Sequence, residues 1–102
     1  MVALQAEAVR WVDDEFPGWV EVQFSDATGR RWSLVDKVPV FDAPEDLGPG
    51  SVYPLEVRVA CVMIEAVTAE EGDVVTVSIS LHGVTALSGE DEFNVRRNQL
   101  VP

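Results

Sequence analysis

The residues able to do chemistry fall into three acid-rich groups. Asp13, Asp14 and Glu15 run together just before Pro17-Gly18, and Trp19 follows them. Phe41, Asp42, Glu45 and Asp46 lie in a passage paced by prolines. Glu90, Asp91 and Glu92 form the third group, near the last hydrophobic run. Carboxylates can hold a divalent cation, share a proton as an acid–base pair, or meet cations on another protein. A calcium loop needs oxygen ligands at fixed alternate positions, and none of the three groups has that spacing. An acid–base pair needs two carboxyls in unlike environments, which clustering alone does not provide. Docking to a basic protein surface needs only like charge on one rim, so that is the chemistry these acids fit.

Other reactive types are sparse. His82 is the one histidine and Cys61 the one cysteine. His82 ends an alternating run on its polar parity. Cys61 lies on the apolar parity of its run and reads as a small buried hydrophobe. A thiol nucleophile would need exposure and a neighbouring base. Gly48-Pro49-Gly50-Ser51 lacks the lysine and the following helix of a phosphate loop. There is no zinc pattern. The expectation is a non-enzymatic protein with no cofactor and no bound metal.

The charge narrows the partners. Eighteen acids against seven basic residues leave a formal charge of −11. Such a surface repels nucleic acid and anionic membranes, so neither is expected to bind. A base-stacking platform is also excluded, because stacking aromatics need a basic groove around them. No apolar run reaches the roughly 20 residues of a membrane span. The first residues lack a basic segment leading into an apolar one, and a lone cysteine allows no disulfide within the chain. The cytoplasm is the expected location.

The elements that must position these groups read as strands. Val20, Val22 and Phe24 alternate with polar residues, as do Trp32 and Leu34. So do Leu55, Val57, Val59 and Cys61; Val75, Val77, Ile79 and Leu81; and Phe93 and Val95. Period-two alternation of β-branched and aromatic residues marks half-buried strands. Residues 60–63 are apolar at every position, which calls for cover on both faces or a bulge. In the first segment, Leu4, Ala6 and Ala8 share one parity while Val9 and Trp11 share the other. A strand is preferred there over a short helix, because no N-cap is present.

Turns fall at Pro17-Gly18, at residues 26–29 and at residues 70–73. The strand count is six, or seven if residues 84–87 add one. These length and turn signals predict a single all-β domain over residues 1–102, a small antiparallel β-barrel, with a β-sandwich as the alternative. Residues 36–54 interrupt the strands with Pro39, Pro44, Pro49 and Pro54, one every fifth position. Proline lacks an amide donor, so this passage cannot be a central strand. Its Val38, Val40, Phe41, Leu47, Val52 and Tyr53 are too apolar for a linker, so it is expected to pack as a lid over one barrel mouth.

If strand directions simply alternate, the connections at residues 13–18, 36–54 and 83–92 share one end and gather the acids into a rim. Trp19, out of phase with Val20 and Val22, stands on the outer face beside it. The leading expectation is a domain that binds a basic protein through this rim. The narrower alternative is an inhibitor or antidote of the immunity type that masks a basic active site. The third is a self-associating structural protein, a homodimer through an exposed strand edge.

Overall fold

The computed structural model describes residues 2–43, 47–69 and 72–102. The alternating runs become β1 (Val2–Asp13), β2 (Trp19–Ser25), β3 (Arg31–Lys37), the two-residue β4 (Phe41–Asp42), β5 (Leu55–Ala69), β6 (Gly72–Ser78), β7 (Glu92–Arg96) and the two-residue β8 (Leu100–Val101). All pairings are antiparallel, in the order β3-β2-β1-β5-β6-β7, with β4 set against β5 and β8 against β1. The sheet curls into a half-barrel, the small all-β barrel type that the alternation implies. Its helical turns, among the described residues, are three-residue 3-10 segments.

The alternation sets the core. Val20, Val22, Phe24, Leu34, Val57, Val59, Val75, Val77, Ile79, Phe93 and Val95 point inward and are buried. β1 is a strand throughout, so the helical alternative for the first segment falls. Its mixed parity comes from two register slips against β2, one between Ala8 and Arg10 and one between Trp11 and Asp13. A bulge puts two residues opposite one and so exchanges the inward and outward positions. Leu4, Ala6 and Ala8 are buried before the first slip.

β5 is shared between two halves of the sheet. Leu55 to Cys61 pair with β1, and Val62 to Ala69 pair with β6. The handover falls between Cys61 and Val62, and a slip between Met63 and Glu65 follows it within the β6 pairing. The all-apolar run therefore divides at the handover. Cys61 is fully buried, while Val62, Met63 and Ile64 are exposed.

The curl is drawn together by a few contacts across the open side. Leu87 N donates to Ser33 O at 2.9 Å, and Ala27 N donates to Asn94 O at 2.8 Å. The Phe93 ring meets Phe24 edge-on at 5.0 Å and Trp32 at 4.9 Å between centroids. Each such aromatic pair adds about 0.5–1.5 kcal/mol beyond its burial. Gln99 Nε2 donates to Ser25 O at 2.7 Å, which brings β8 onto the start of β1. Residues 84–87 form no strand. They lie over the core with Val84 and Ala86 buried, and spend one amide on β3.

The proline passage packs as its apolar content requires. Phe41 and Leu47 are buried, and Val38, Val40, Ala43 and Tyr53 lie against the core. Tyr53 Oη donates to Gly48 O at 2.7 Å. Val52 stands out at 83% exposure. Between Pro39 and Pro44 the chain makes a two-residue edge pairing with Val59 and Arg58. That is as much ladder as the missing proline amides permit.

Candidate functional site

The connection between β1 and β2 is the best-defined display element of the surface. Asp13, Asp14, Glu15 and Phe16 are all exposed, and Phe16 is 94% exposed. The loop beneath them is fixed by local bonds. Asp13 Oδ1 accepts from Glu15 N at 2.8 Å, an Asx turn of the kind aspartate favours. Gly18 N donates to Glu15 O at 2.7 Å. Trp11 Nε1 donates to Asp14 Oδ1 at 2.6 Å.

Gly18 is buried and has φ +99°, a backbone region that side-chain-bearing residues rarely enter. A Cβ there would lie 2.3 Å from Trp11 Cη2 and 2.8 Å from Cζ2. The six-membered ring of Trp11 thus lies close against the glycine backbone. Two aromatic residues of the same hairpin take opposite fates: Trp11 is folded onto Gly18, and Phe16 is held out in solvent.

The end of β3 shares this end of the molecule. Trp19 faces Lys37 across the β2–β3 ladder, and Val38 N donates to Gly18 O at 2.9 Å. Trp19 is half-buried on the outer face, with Lys37 Nζ 5.7 Å from its ring centroid. It covers its own sheet and holds a cation of its own chain, so it is a weaker anchor than its position in sequence suggested. Asp36 adds a fourth acid to Asp13, Asp14 and Glu15 at this end.

The other acids do not join them. Ser78 lies opposite Val62, one position past the pairing of Cys61 with Val2. Along the ladder, the connection from residue 79 to residue 91 therefore begins level with the start of β1, whereas Asp13 lies at its finish. The physical reason is the length of β5. It runs past β1, and the shorter β6 does not return the full distance. Glu90 and Glu92 are exposed there and Asp91 is half-buried, while Glu90 O and Asp91 O brace the connection by accepting from Ala86 N and Ile79 N. Asp42 is exposed in β4, opposite Arg58. Phe41 is only 6% exposed and belongs to the core rather than to the acidic surface. Glu45 and Asp46 lie outside the described residues.

Two further carboxylates are structural. Asp26 accepts from Thr28 N at 2.8 Å, Thr28 Oγ1 at 2.6 Å, Arg30 N at 3.1 Å and Trp32 Nε1 at 2.9 Å. Burial alone would raise its carboxyl, but these bonds outweigh burial and hold it below the usual aspartate value. Glu21 behaves likewise. Burial opposes its charge, while bonds from Arg10, Gln23 and Ser33 and the Arg10 charge bring it down. Arg31 completes this outer lattice with bonds to Glu7, Gln23 and Ser25.

Burial pushes the Cys61 thiol up to about 11, and its Sγ sits 3.6 Å from Val2 O. It is a packed thiol rather than a nucleophile. His82 closes a 3-10 turn at Ser80–His82, and its side chain is not among those described. Among the described residues, no group of three or more His, Cys, Asp or Glu is placed to hold a metal ion, and no helix is long and apolar enough to cross a membrane. A surface groove of about 440 Å³ lies between Val2, Val40, Phe41 and Ala60, and Asp42 is the one charged side chain among the described residues that line it.

The residue that sequence reasoning missed is Phe16. It sits in a turn marked by Pro17-Gly18 rather than in an alternating run, so no parity assigns it a face. Its one signal is an aromatic side chain at a hairpin tip, beside three acids. Compared with family models, curated proteins and solved structures, the chain finds no match.

Proposed function

We propose that the protein is a non-enzymatic interaction domain that binds a basic protein partner through the end formed by the β1–β2 connection and the finish of β3. The observation that supports this reading is the hydrogen-bonded loop that carries Asp13, Asp14 and Glu15 into solvent, at the same end of the sheet as Asp36. An ordered acidic end of this kind acts mainly on encounter. It raises the association rate and selects against acidic partners, and salt weakens both effects.

The test compares wild type with a triple variant, Asp13→Asn, Asp14→Asn and Glu15→Gln. The amides keep the carbonyl acceptors of the loop and remove the charge. Both proteins serve as baits in lysate of the source cells at low and moderate salt, and any partner retained is purified for kinetics. The expected result is one basic protein whose association slows about tenfold with the triple variant and slows further with salt. Equal binding to both baits, or no binding to either, overturns the reading.

A second reading is supported by a different surface. Val62, Met63, Ile64 and Leu81 are exposed apolar residues at 40–52%, and the Ser80–His82 turn packs against β5. Exposed apolar side chains such as these, here on both faces of β5, serve association with a second copy of the chain. Sedimentation of wild type against Ile64→Lys separates the two. A concentration-dependent dimer lost in the variant supports self-association, and a monomer at all concentrations removes it.

A further inference from the structure

We infer that Phe16 is the anchor of this interaction: its ring enters an apolar pocket on the partner whose mouth is lined with lysine or arginine. The inference rests on the reading of the β1–β2 end as a protein-binding surface and adds the side chain that fixes the partner in place. It is carried by the ring's 94% exposure at the tip of the connection. A phenylalanine left in water forgoes the free energy of burying its ring. The chain had a local alternative, since Trp11 five residues earlier is tucked onto Gly18. Val12, 37% exposed on the same hairpin, adds apolar surface to it.

The backbone that carries Phe16 is held before any partner arrives. Glu15 is bonded through its amide to Asp13 and through its carbonyl to Gly18, and Gly18 is tied through its own carbonyl to Val38. Little loop entropy is left to lose on binding, which is the usual advantage of a pre-formed contact. Aromatic residues dominate the few side chains that carry most of an interface's energy, and such anchors sit in pockets ringed by polar contacts. Here the ring is preceded by three acids, so the pocket it fits has a basic mouth. The same acids argue against an anionic lipid surface, where exposed aromatics also insert.

The two parts of the interface are separable. The acids act on the rate of encounter, and a desolvated ring acts on the rate of escape. The test places p-benzoylphenylalanine at position 16 of the full chain in the source cells and activates it with light. The protein captured is purified and its binding measured against wild type, Phe16→Ser and the triple amide variant. The expected result is a basic protein that dissociates about 30-fold faster or more from Phe16→Ser, with association little changed. The triple amide variant shows the opposite pattern. Phe16→Ser should melt with wild type, because so exposed a ring contributes little to the fold.

Wild-type affinity in Phe16→Ser alongside slowed association in the amide variant overturns the anchor and leaves the acidic surface standing. Crosslinking to a second copy of the chain, to lipid or to nucleic acid overturns the partner chemistry. If nothing is captured, or neither variant changes binding, both the anchor and the reading beneath it fall.

Discussion

Replacing Gly18 with alanine isolates what holds the β1–β2 connection. Two costs add. The first is the backbone: at φ +99° an L-residue pays about 1–2 kcal/mol relative to glycine. The second is contact. A Cβ 2.3 Å from Trp11 Cη2 cannot coexist with the ring, which must swing away and give up its packing and its bond to Asp14. That part is worth about 1–2 kcal/mol for a partly exposed bond to a carboxylate and the packing beneath it. Together Gly18→Ala should cost about 2–4 kcal/mol, or roughly 10–20 °C in Tm for a domain of this size. Urea denaturation followed by far-UV circular dichroism measures it, since the fold as a whole reports rather than the tryptophans. The decisive comparison is a double-mutant cycle with Trp11→Ala. Without the indole, only the backbone cost remains, so the two substitutions should couple by about 1–2 kcal/mol. A Gly18→Ala protein within about 0.5 kcal/mol of wild type would refute both costs. An equal penalty in both backgrounds would refute the contact with Trp11 and leave the backbone as the whole explanation.

Asp26→Asn should lower stability by about 1–2 kcal/mol at neutral pH, because it removes the charge from a carboxylate holding three other residues. Asp26 is more acidic folded than unfolded, so its contribution is complete above the unfolded value near 4 and is lost as pH falls through the folded value. The gap between wild type and variant, measured by denaturation at several pH values, should therefore hold steady above about pH 5 and close below about pH 4. Cys61 should resist a water-soluble disulfide reagent at pH 8 in the folded protein and react at once in urea, since it is fully buried and its thiol is raised to about 11. Rapid native labelling, followed by absorbance, would show that the start of β1 does not cover it.

Much of the fold is legible because alternation is a local property. Val20, Val22 and Phe24, or Val75, Val77 and Ile79, declare their faces from sequence neighbours alone, and the folded chain buries them accordingly. What is not legible is where alternation changes phase. The parity change between Ala8 and Val9 signals a phase shift in β1 but not the two slips that produce it, and nothing between Cys61 and Ile64 says where β1 hands β5 to β6. The end shared by Asp13, Asp14, Glu15 and Asp36 was readable, because β2 and β3 each start or finish level with the finish of β1, Asp13 opposite Trp19 and Trp19 opposite Lys37. The displacement of Glu90, Asp91 and Glu92 was not. Counting strands assumes each returns as far as the last one went, and β5 with its 15 residues followed by β6 with 7 does not. β4 and β8 are two residues each, too short to carry a period.

The pairing of Ala3 with Val101 and of Leu4 with Leu100 lays the two ends of this chain side by side. Position along the chain and position on the surface are thereby uncoupled. A short Gly/Ser bridge from residue 102 to residue 2 spans neighbours, so a circularly permuted protein can be opened instead at Gly29, where the turn meets open space. A surface tether attached at either end, meanwhile, holds the domain by the start of β1 and leaves the Phe16 loop at the finish of β1 facing away from the support.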